Sequence, residues 1–344
     1  MPASVFVIVN ALAKRWADAP DAVAAVCALC AGRATVRVTH DLVELDAAAY
    51  EARNADIVLL AGGDGTYGAG LTALRRVREG WPLVGLAPGG TVGTVTRSLR
   101  LGTAAREPVL GVARMLHAAL AGPRIRRTPT LEIEHDAGKS LGFIVGTGLV
   151  ASFFELYDTA AAEALARGEV PRRSSGGGNL AAARIVARVF LESFVGGPIA
   201  RRVLRPLPCT VTVHDDGPRK LPWSASSLVV ASVLRDLGLG MRVTHRGAED
   251  PSRPHVVVSG LVPRALGPRM FRVLRGVPIA GPEETHFDGL VDALEVVFPE
   301  TPSEPRGGPW VLDGDLRRSR RLVVRAGPEV GFLDLGEAGP YSPD

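Results

Sequence analysis

Lysine is nearly absent from this chain: of 40 basic residues, only Lys14, Lys139 and Lys220 are lysines. The positive charge is therefore almost all guanidinium, which alanine-rich, GC-rich coding produces and which also suits phosphate groups or anionic lipid. Aromatic residues make up only 5% of the chain and the basic ones are scattered, a poor footprint for nucleic acid. Cysteine is scarce. Cys27, Cys30 and Cys209 cannot build a disulfide framework, and the C-x-x-C of "CALC" has no second pair to complete a zinc site. It reads instead as two thiols on one helix face in a reducing compartment. No apolar run approaches the roughly 18 residues of a transmembrane helix, and the first ten residues lack the basic start of a signal peptide. A cytoplasmic protein is expected, peripheral at most on the inner membrane face. No H-x-x-H, H-E-x-x-H or G-x-S-x-G spacing occurs, so metallohydrolases and serine hydrolases have no support.

What is present is a globular composition, 46% hydrophobic and 22% charged with net charge +4, over 344 residues, enough for two domains. The first third alternates buried strands with helices. "SVFVIVN", "TVRVTH", "DIVLLAG" and "PLVGLAPGG" read as strands; residues 17–31, 47–54, 71–78 and 107–121 read as helices. Such alternation predicts a parallel sheet covered on both faces. After Pro123 the pattern changes. "RRTPTLEIEH", "SLGFIVGTG", "PCTVTVHD", "SSLVVASVL" and "PHVVVSGL" are strand-like runs, interrupted by a helical section over 151–194. Within that section "NLAAARIVARVFLESF" is amphipathic: it suits a helix packed on its own domain, or one at a membrane surface. "RRSSGGG" (172–178) and "ETPSEPRGGP" read as loops, and Asp288-Gly289 in "HFDGLVDALEV" as a plain β-turn. The predicted class is thus α/β: a parallel-sheet domain over 1–123, rejoined by residues 320–344, plus a mainly antiparallel β-domain over 124–319 with a helical insertion.

The most informative stretch is "AGGDGTYG". Two glycines, an acid, a glycine and a hydroxyl stand where a strand hands over to a helix. Glycines let backbone amides close on an anion, and the helix adds its positive end. An acid there would repel phosphate unless it binds nucleotide-borne Mg²⁺ or holds the turn by hydrogen bonds. Asp64 is therefore a metal candidate. A second glycine-rich turn, "APGGTVGT", follows the next strand and is expected to face the first across the crevice at the carboxyl edge of the sheet.

Gly62-Gly63-Asp64-Gly65-Thr66 is similar to the GGDGT motif of the diacylglycerol kinase catalytic-domain family, which includes bacterial lipid kinases and sphingosine and ceramide kinases. NAD kinases share that motif and fold. The rest of the chain resembles the lipid kinases more: "VIVNALA" is like their first strand, which ends in Asn-Pro, and "VRVTHD" like the strand whose threonine approaches the nucleotide. Pro88, Gly90 and Thr91 fit their P-x-G-T turn, and "WVLDGDL" is like their D-G-E segment. The resemblance implies ATP-dependent, Mg²⁺-assisted phosphoryl transfer to a lipid hydroxyl of the diacylglycerol, ceramide or sphingoid-base type, at a membrane surface, with 1–123 as a nucleotide-binding α/β domain and 124–319 as a β-sandwich lipid-acceptor domain. It implies that Asn10, Thr39, Gly62, Gly63, Asp64, Gly65, Thr66, Gly90 and Thr91 hold the nucleotide. Asp313 would be the general base and Asp315 would replace the family's glutamate. A homodimer is in keeping with the resemblance.

Three departures stand against it. Ala69 occupies a position where the family has glutamate, Gly93 and Thr94 replace an Asn-Asp pair, and Ala11 replaces the proline of the first strand's Asn-Pro. An active lipid kinase, an NAD kinase and an inactive nucleotide- or lipid-binding homologue are the three readings of the sequence.

Overall fold

The computed structural model describes residues 3–90, 93–102, 107–166, 192, 197–237, 241–262, 265, 269–279, 285–300 and 306–336. The amphipathic run at 179–194, the 172–178 segment and Thr91 lie outside these, save Glu192. The chain forms two compact units, Met1–Pro129 with Glu329–Asp344, and Thr130–Pro328.

The first unit is built on parallel strands β1 (Val5–Asn10), β2 (Thr35–Thr39), β3 (Ile57–Gly62) and β4 (Leu83–Pro88), in the order β2-β1-β3-β4. Registers such as Val5↔Ile57 and Ile57↔Leu83 bring the carboxyl ends of β1, β3 and β4 together. All six residues of β3 are buried, as a strand covered on both faces requires. Alternate residues divide between the faces. Val5, Val7, Val9, Ile57, Leu59 and Ala61 pack under α2 (Pro20–Cys30) and α6 (Pro108–Ala121), which contribute Val26, Cys30, Val112, Met115 and Leu116. Each such buried aliphatic side chain contributes about 1.5–3 kcal/mol relative to exposure. The order reverses between β1 and β3, and that switch point is where open α/β sheets offer their crevice.

One detail differs from the sequence-based expectation. The helix after β3, α4, spans Asp64–Val77 and not 71–78. Its first turns, "DGTYGAG", are poor helix formers, but packing overrides propensity: Leu71 and Leu74 are fully buried, and a Cβ on Gly70 would lie 2.8 Å from Leu60 Cδ1. The two thiols of "CALC", three residues apart on α2, differ in environment: Cys27 is exposed and Cys30 buried.

The second unit is antiparallel. One sheet has the order β14-β13-β12-β7-β16-β17, formed by His286–Leu290, His255–Ser259, Leu228–Ser232, Ile144–Gly148, Gly308–Leu312 and Asp315–Ser319. In another, β15 (Ala293–Val297) pairs with β9 (Thr210–His214) and with the start of the strand Arg321–Asp334. Helix α7 (Leu149–Ala166) follows β7. The run "SLGFIVGTG" is not one strand: Gly138–Gly142 and Ile144–Gly148 are separate, with Phe143 between them. Nor is Asp288-Gly289 a turn. Both lie inside β14, where Asp288 pairs with Val257, and the chain reverses afterwards at Val291-Asp292. Two long strands, Arg124–His135 and Arg321–Asp334, carry the chain between the units.

No helix among the described residues is long and apolar enough to cross a membrane.

Candidate functional site

In the first unit, β1 ends at Asn10, whose Oδ1 accepts the Leu12 N–H at 3.0 Å and whose Nδ2 donates to Thr66 Oγ1 at 2.9 Å. Thr66 Oγ1 also accepts the Gly63 N–H at 3.3 Å. With two donors directed at the oxygen, its own proton is free to point outward. Thr39 closes the same edge: it pairs with Asn10, is buried, and donates to Val9 O at 3.3 Å. The hydrogen bond from Asn10 to Thr66 thus spans the switch point between β1 and β3.

The two glycine turns touch backbone to backbone. A Cβ on Gly90 would lie 2.6 Å from Gly63 Cα, and a Cβ on Gly63 would lie 3.2 Å from Gly90 Cα. Gly89 N–H donates to Gly62 O at 2.6 Å, and the Gly89 carbonyl accepts from Arg15 at 3.0 Å. A Cβ on Gly62 would fall 2.5 Å from Thr66 Oγ1, and one on Gly89 would overlap the indole of Trp16. Trp16 Nε1 is buried without a partner at that spot. The first-turn N–H groups of α4 belong to Asp64, Gly65 and Thr66, and no intrahelical carbonyl can reach them.

Asp64 does not sit as a bare acid facing phosphate. Its Oδ2 accepts the Thr94 N–H at 2.8 Å and its Oδ1 the Val95 N–H at 3.1 Å, the first two amides of α5 (Thr94–Ser98). The carboxylate therefore clamps one glycine turn to the other and complements the positive end of α5. Of the two tasks the sequence left open for it, metal ligation and holding the turn, the second is the one its bonds perform. Burial pushes its pKa above the ordinary aspartate value, against the lowering effect of the two amides and of Arg97. Gly93, the N-cap of α5, has φ +62°, and Arg97 Nε donates to its carbonyl at 3.2 Å. Tyr67, fully buried beneath, donates its hydroxyl to Ala87 O at 3.1 Å; burial and the Asp64 charge raise its pKa well above normal. Trp16, Tyr67 and Arg97 were not among the residues singled out from the sequence, and none belongs to a motif that would have marked it.

These residues fit a nucleotide's phosphates: the cradle is one that side chains would fill, and its amides are donors. They fit Mg²⁺ less fully, since Asp64 is the single carboxylate at the described turns and each of its oxygens already accepts an N–H.

In the second unit, Asp313 and Gly314 form the two-residue loop of the β16–β17 hairpin closed by Leu312↔Asp315. Their φ values, +49° and +97°, are those of a type I′ turn, which Asp-Gly favours. The side chain is also held. Asp313 Oδ1 accepts from Phe143 N at 3.0 Å and Ile144 N at 2.9 Å, Oδ2 accepts from Phe143 N at 3.1 Å, and Asp313 N donates to Ile144 O. This grip divides the strand Gly138–Gly142 from β7 at Phe143, and a Cβ on Gly142 would sit 2.6 Å from Asp313 Oδ2. Asp313 is 8% exposed. Asp315 is half-exposed, with Arg317 Nη2 3.7 Å away. Desolvation raises its pKa and Arg317 opposes that. The arginines of "RRSRR" are not an open basic patch: Arg317 faces Asp315, Arg318 faces Glu155, Arg320 faces Glu300 and Arg321 faces Glu295.

Residues 4–120 match the family model of the diacylglycerol kinase catalytic domain. Comparison with curated proteins gives no match to the chain. Among solved structures, the fold is similar to that of a diacylglycerol kinase from Bacillus anthracis str. Sterne, with TM-score 0.58 and 12% identity over 97% of each chain. Two further structures from that organism align with TM-scores of 0.63 and 0.60 at 12% and 14% identity, over 97% of this chain and 97% and 96% of theirs.

Proposed function

We propose, from a stretch that carries the diacylglycerol kinase catalytic-domain pattern, that this chain is a lipid kinase. In this reading it moves the γ-phosphoryl group of ATP to the hydroxyl of a diacylglycerol, ceramide or sphingoid-base type lipid presented at a membrane surface. The observation that carries the reading is the backbone contact of Gly63 with Gly90, two glycine turns on neighbouring strands held together by Asp64. Phosphoryl transfer asks chiefly for positioning and charge neutralisation. The first-turn amides of α4 and the Thr66 hydroxyl serve the phosphates, with Asn10 and Thr39 shaping the edge; Thr91, outside the described residues, is assigned to the nucleotide by the resemblance alone. Asp313 takes the acceptor proton as general base, and Asp315 keeps the negative charge of the glutamate it replaces, one methylene shorter. When bound with the nucleotide, Mg²⁺ supplies charge neutralisation between the phosphates; Asp64 has lone pairs left for one of that ion's waters. The N-terminal unit is the nucleotide side of the reaction and the C-terminal unit the acceptor side.

A second reading has its own observation. Both Asp64 oxygens are engaged by amides, and Thr94 stands where the resembling family has an acid, which suits a nucleotide-binding homologue without turnover.

The test is a transfer assay on the full chain with labelled ATP, Mg²⁺ and micellar diacylglycerol, monoacylglycerol, ceramide, sphingosine and a polyprenol, with NAD as outgroup. Label in one of the lipids is expected. Label in NAD alone would move the protein to the NAD kinases. ATP binding without transfer to any acceptor would sink the kinase reading in favour of the binding one.

A further inference from the structure

We infer that the C-terminal unit contains a metal site for a zinc-class divalent cation, built by His245, His255 and Asp288 and distinct in composition from the phosphate-binding turns. Each of the three offers one ligand atom, and these atoms all lie within 4.8 Å of one another. Strand pairing creates the arrangement. On β13 and β14, His255 lies opposite Leu290 and Val257 opposite Asp288, so His255 and Asp288 are diagonal neighbours on one face. Their side chains meet, with His255 Nε2 2.7 Å from Asp288 Oδ1. His245 reaches the pair from the connection between β12 and β13, its ring edge-on to that of His255 at 4.9 Å between centroids. That connection is fixed at this point, Thr244 Oγ1 donating to Leu234 O at 2.8 Å.

An independent observation points the same way. Asp288 Oδ2 is buried and has no hydrogen-bond partner. Two residues earlier on the same face of β14, His286 has both ring nitrogens buried without a partner. His255 itself is fully buried. Unsatisfied buried polar atoms are costly, and native proteins keep few of them. A cation coordinated by Asp288 satisfies the orphaned oxygen directly.

The donor set selects the cation. Two imidazoles and one carboxylate, with no thiolate, suit zinc and its first-row neighbours. They do not suit Mg²⁺, which takes oxygen ligands. Three protein ligands leave a fourth position for water. Ligand atoms about 2.0–2.1 Å from zinc are about 3.3 Å apart in a tetrahedron. The 2.7 Å pair therefore opens slightly and the 4.8 Å separation closes, both by side-chain rotation. The bound ion ties the β12–β13 connection to two strands, beside the apolar cluster of Leu228, Val230 and Val257 that Met241 and Val243 cover.

No spacing in the sequence announces the site, because nine residues separate the two histidines and the aspartate lies on a later strand. The experiment uses the full chain, stripped of metal and titrated with Zn²⁺ alone, with circular dichroism to confirm folding. Wild type is expected to take up about one equivalent, undisturbed by excess Mg²⁺. His245→Ala should weaken uptake by at least the roughly 10–100-fold that loss of an outer-shell partner costs. His245→Cys should restore it, since a thiolate ligates zinc and an imidazole's hydrogen bonds are lost in both variants. His40→Ala, a histidine of the other unit, should bind as wild type. No uptake by wild type, or equal uptake by His245→Ala and wild type, would overturn the site and leave a hydrogen-bonded His-Asp network. Asp288→Asn gives a second reading of the same quantity, and its unaltered uptake would overturn it as well.

Discussion

Asp313 combines two demands in one side chain. It must adopt φ +49°, which asparagine also tolerates, and its oxygens must accept the Phe143 and Ile144 amides. Asp313→Asn meets the first demand and keeps an acceptor for the second, but removes a base. The expected result is a chain folded as wild type, with ATP affinity within a few-fold and kcat lowered about 10²–10⁴-fold; activity that survives would remove Asp313 from the chemistry. Asp64 yields a prediction of another kind. Its folded pKa is raised, so above the ordinary value of 3.8 the native state binds more protons than the unfolded one, and this contribution to stability falls as pH rises through the raised pKa. Asp64→Asn lacks the contribution. The difference in Tm between wild type and Asp64→Asn should therefore grow in favour of wild type as pH drops from about 7 toward 4, and parallel Tm curves would refute the assignment. Gly93 shows how a departure from a motif can be conformationally silent: at φ +62° glycine and asparagine are the two residues at ease, so the exchange of one for the other leaves the turn its shape.

At the scale of elements, the two glycine turns act as one object. A methyl on Gly90 has no flexible neighbour to displace, only the Gly63 backbone at 2.6 Å. Gly90→Ala should thus force the turns apart, destabilise the chain by about 1–3 kcal/mol and weaken ATP binding at least tenfold, as read by thermal melts and calorimetric titration. Unchanged affinity would mean the turns do not form the phosphate cradle. This level of organisation was only half legible beforehand. The buried strands of the first unit announce themselves as apolar runs, and GGDGT marks where β3 ends. The clamp from Asp64 to Thr94 and Val95 bridges some thirty residues, and no local pattern encodes it. The break at Phe143 is just as hidden: the run from Leu141 to Gly148 is continuous in composition, and the side chain that divides it arrives about 170 residues later. Asp288-Gly289 misleads for a related reason. Its composition is that of a turn, yet its register with Val257 places it within a strand.

At the scale of the molecule, the N-terminal unit is discontinuous. Val330, Phe332 and Leu333 are fully buried in it, and Phe332 pairs with Val84 of β4. A fragment of residues 1–129 exposes the edge of β4 and the cavity these three side chains fill. It should show no cooperative melt by circular dichroism, and adding a peptide of residues 321–336 should restore one; a fragment that folds alone would contradict this. The same discontinuity sets an order of events during synthesis. Some 199 residues separate Pro129 from Glu329 in the chain, and at about 5–20 residues per second a ribosome needs roughly 10–40 s to traverse them. Throughout that interval the GGDGT turn already exists as sequence, but the sheet beneath it lacks its last strand. The later unit has all its residues before the earlier one has its last strand. A nascent chain therefore completes the sheet beneath its two glycine turns only after the whole of the other unit has been made.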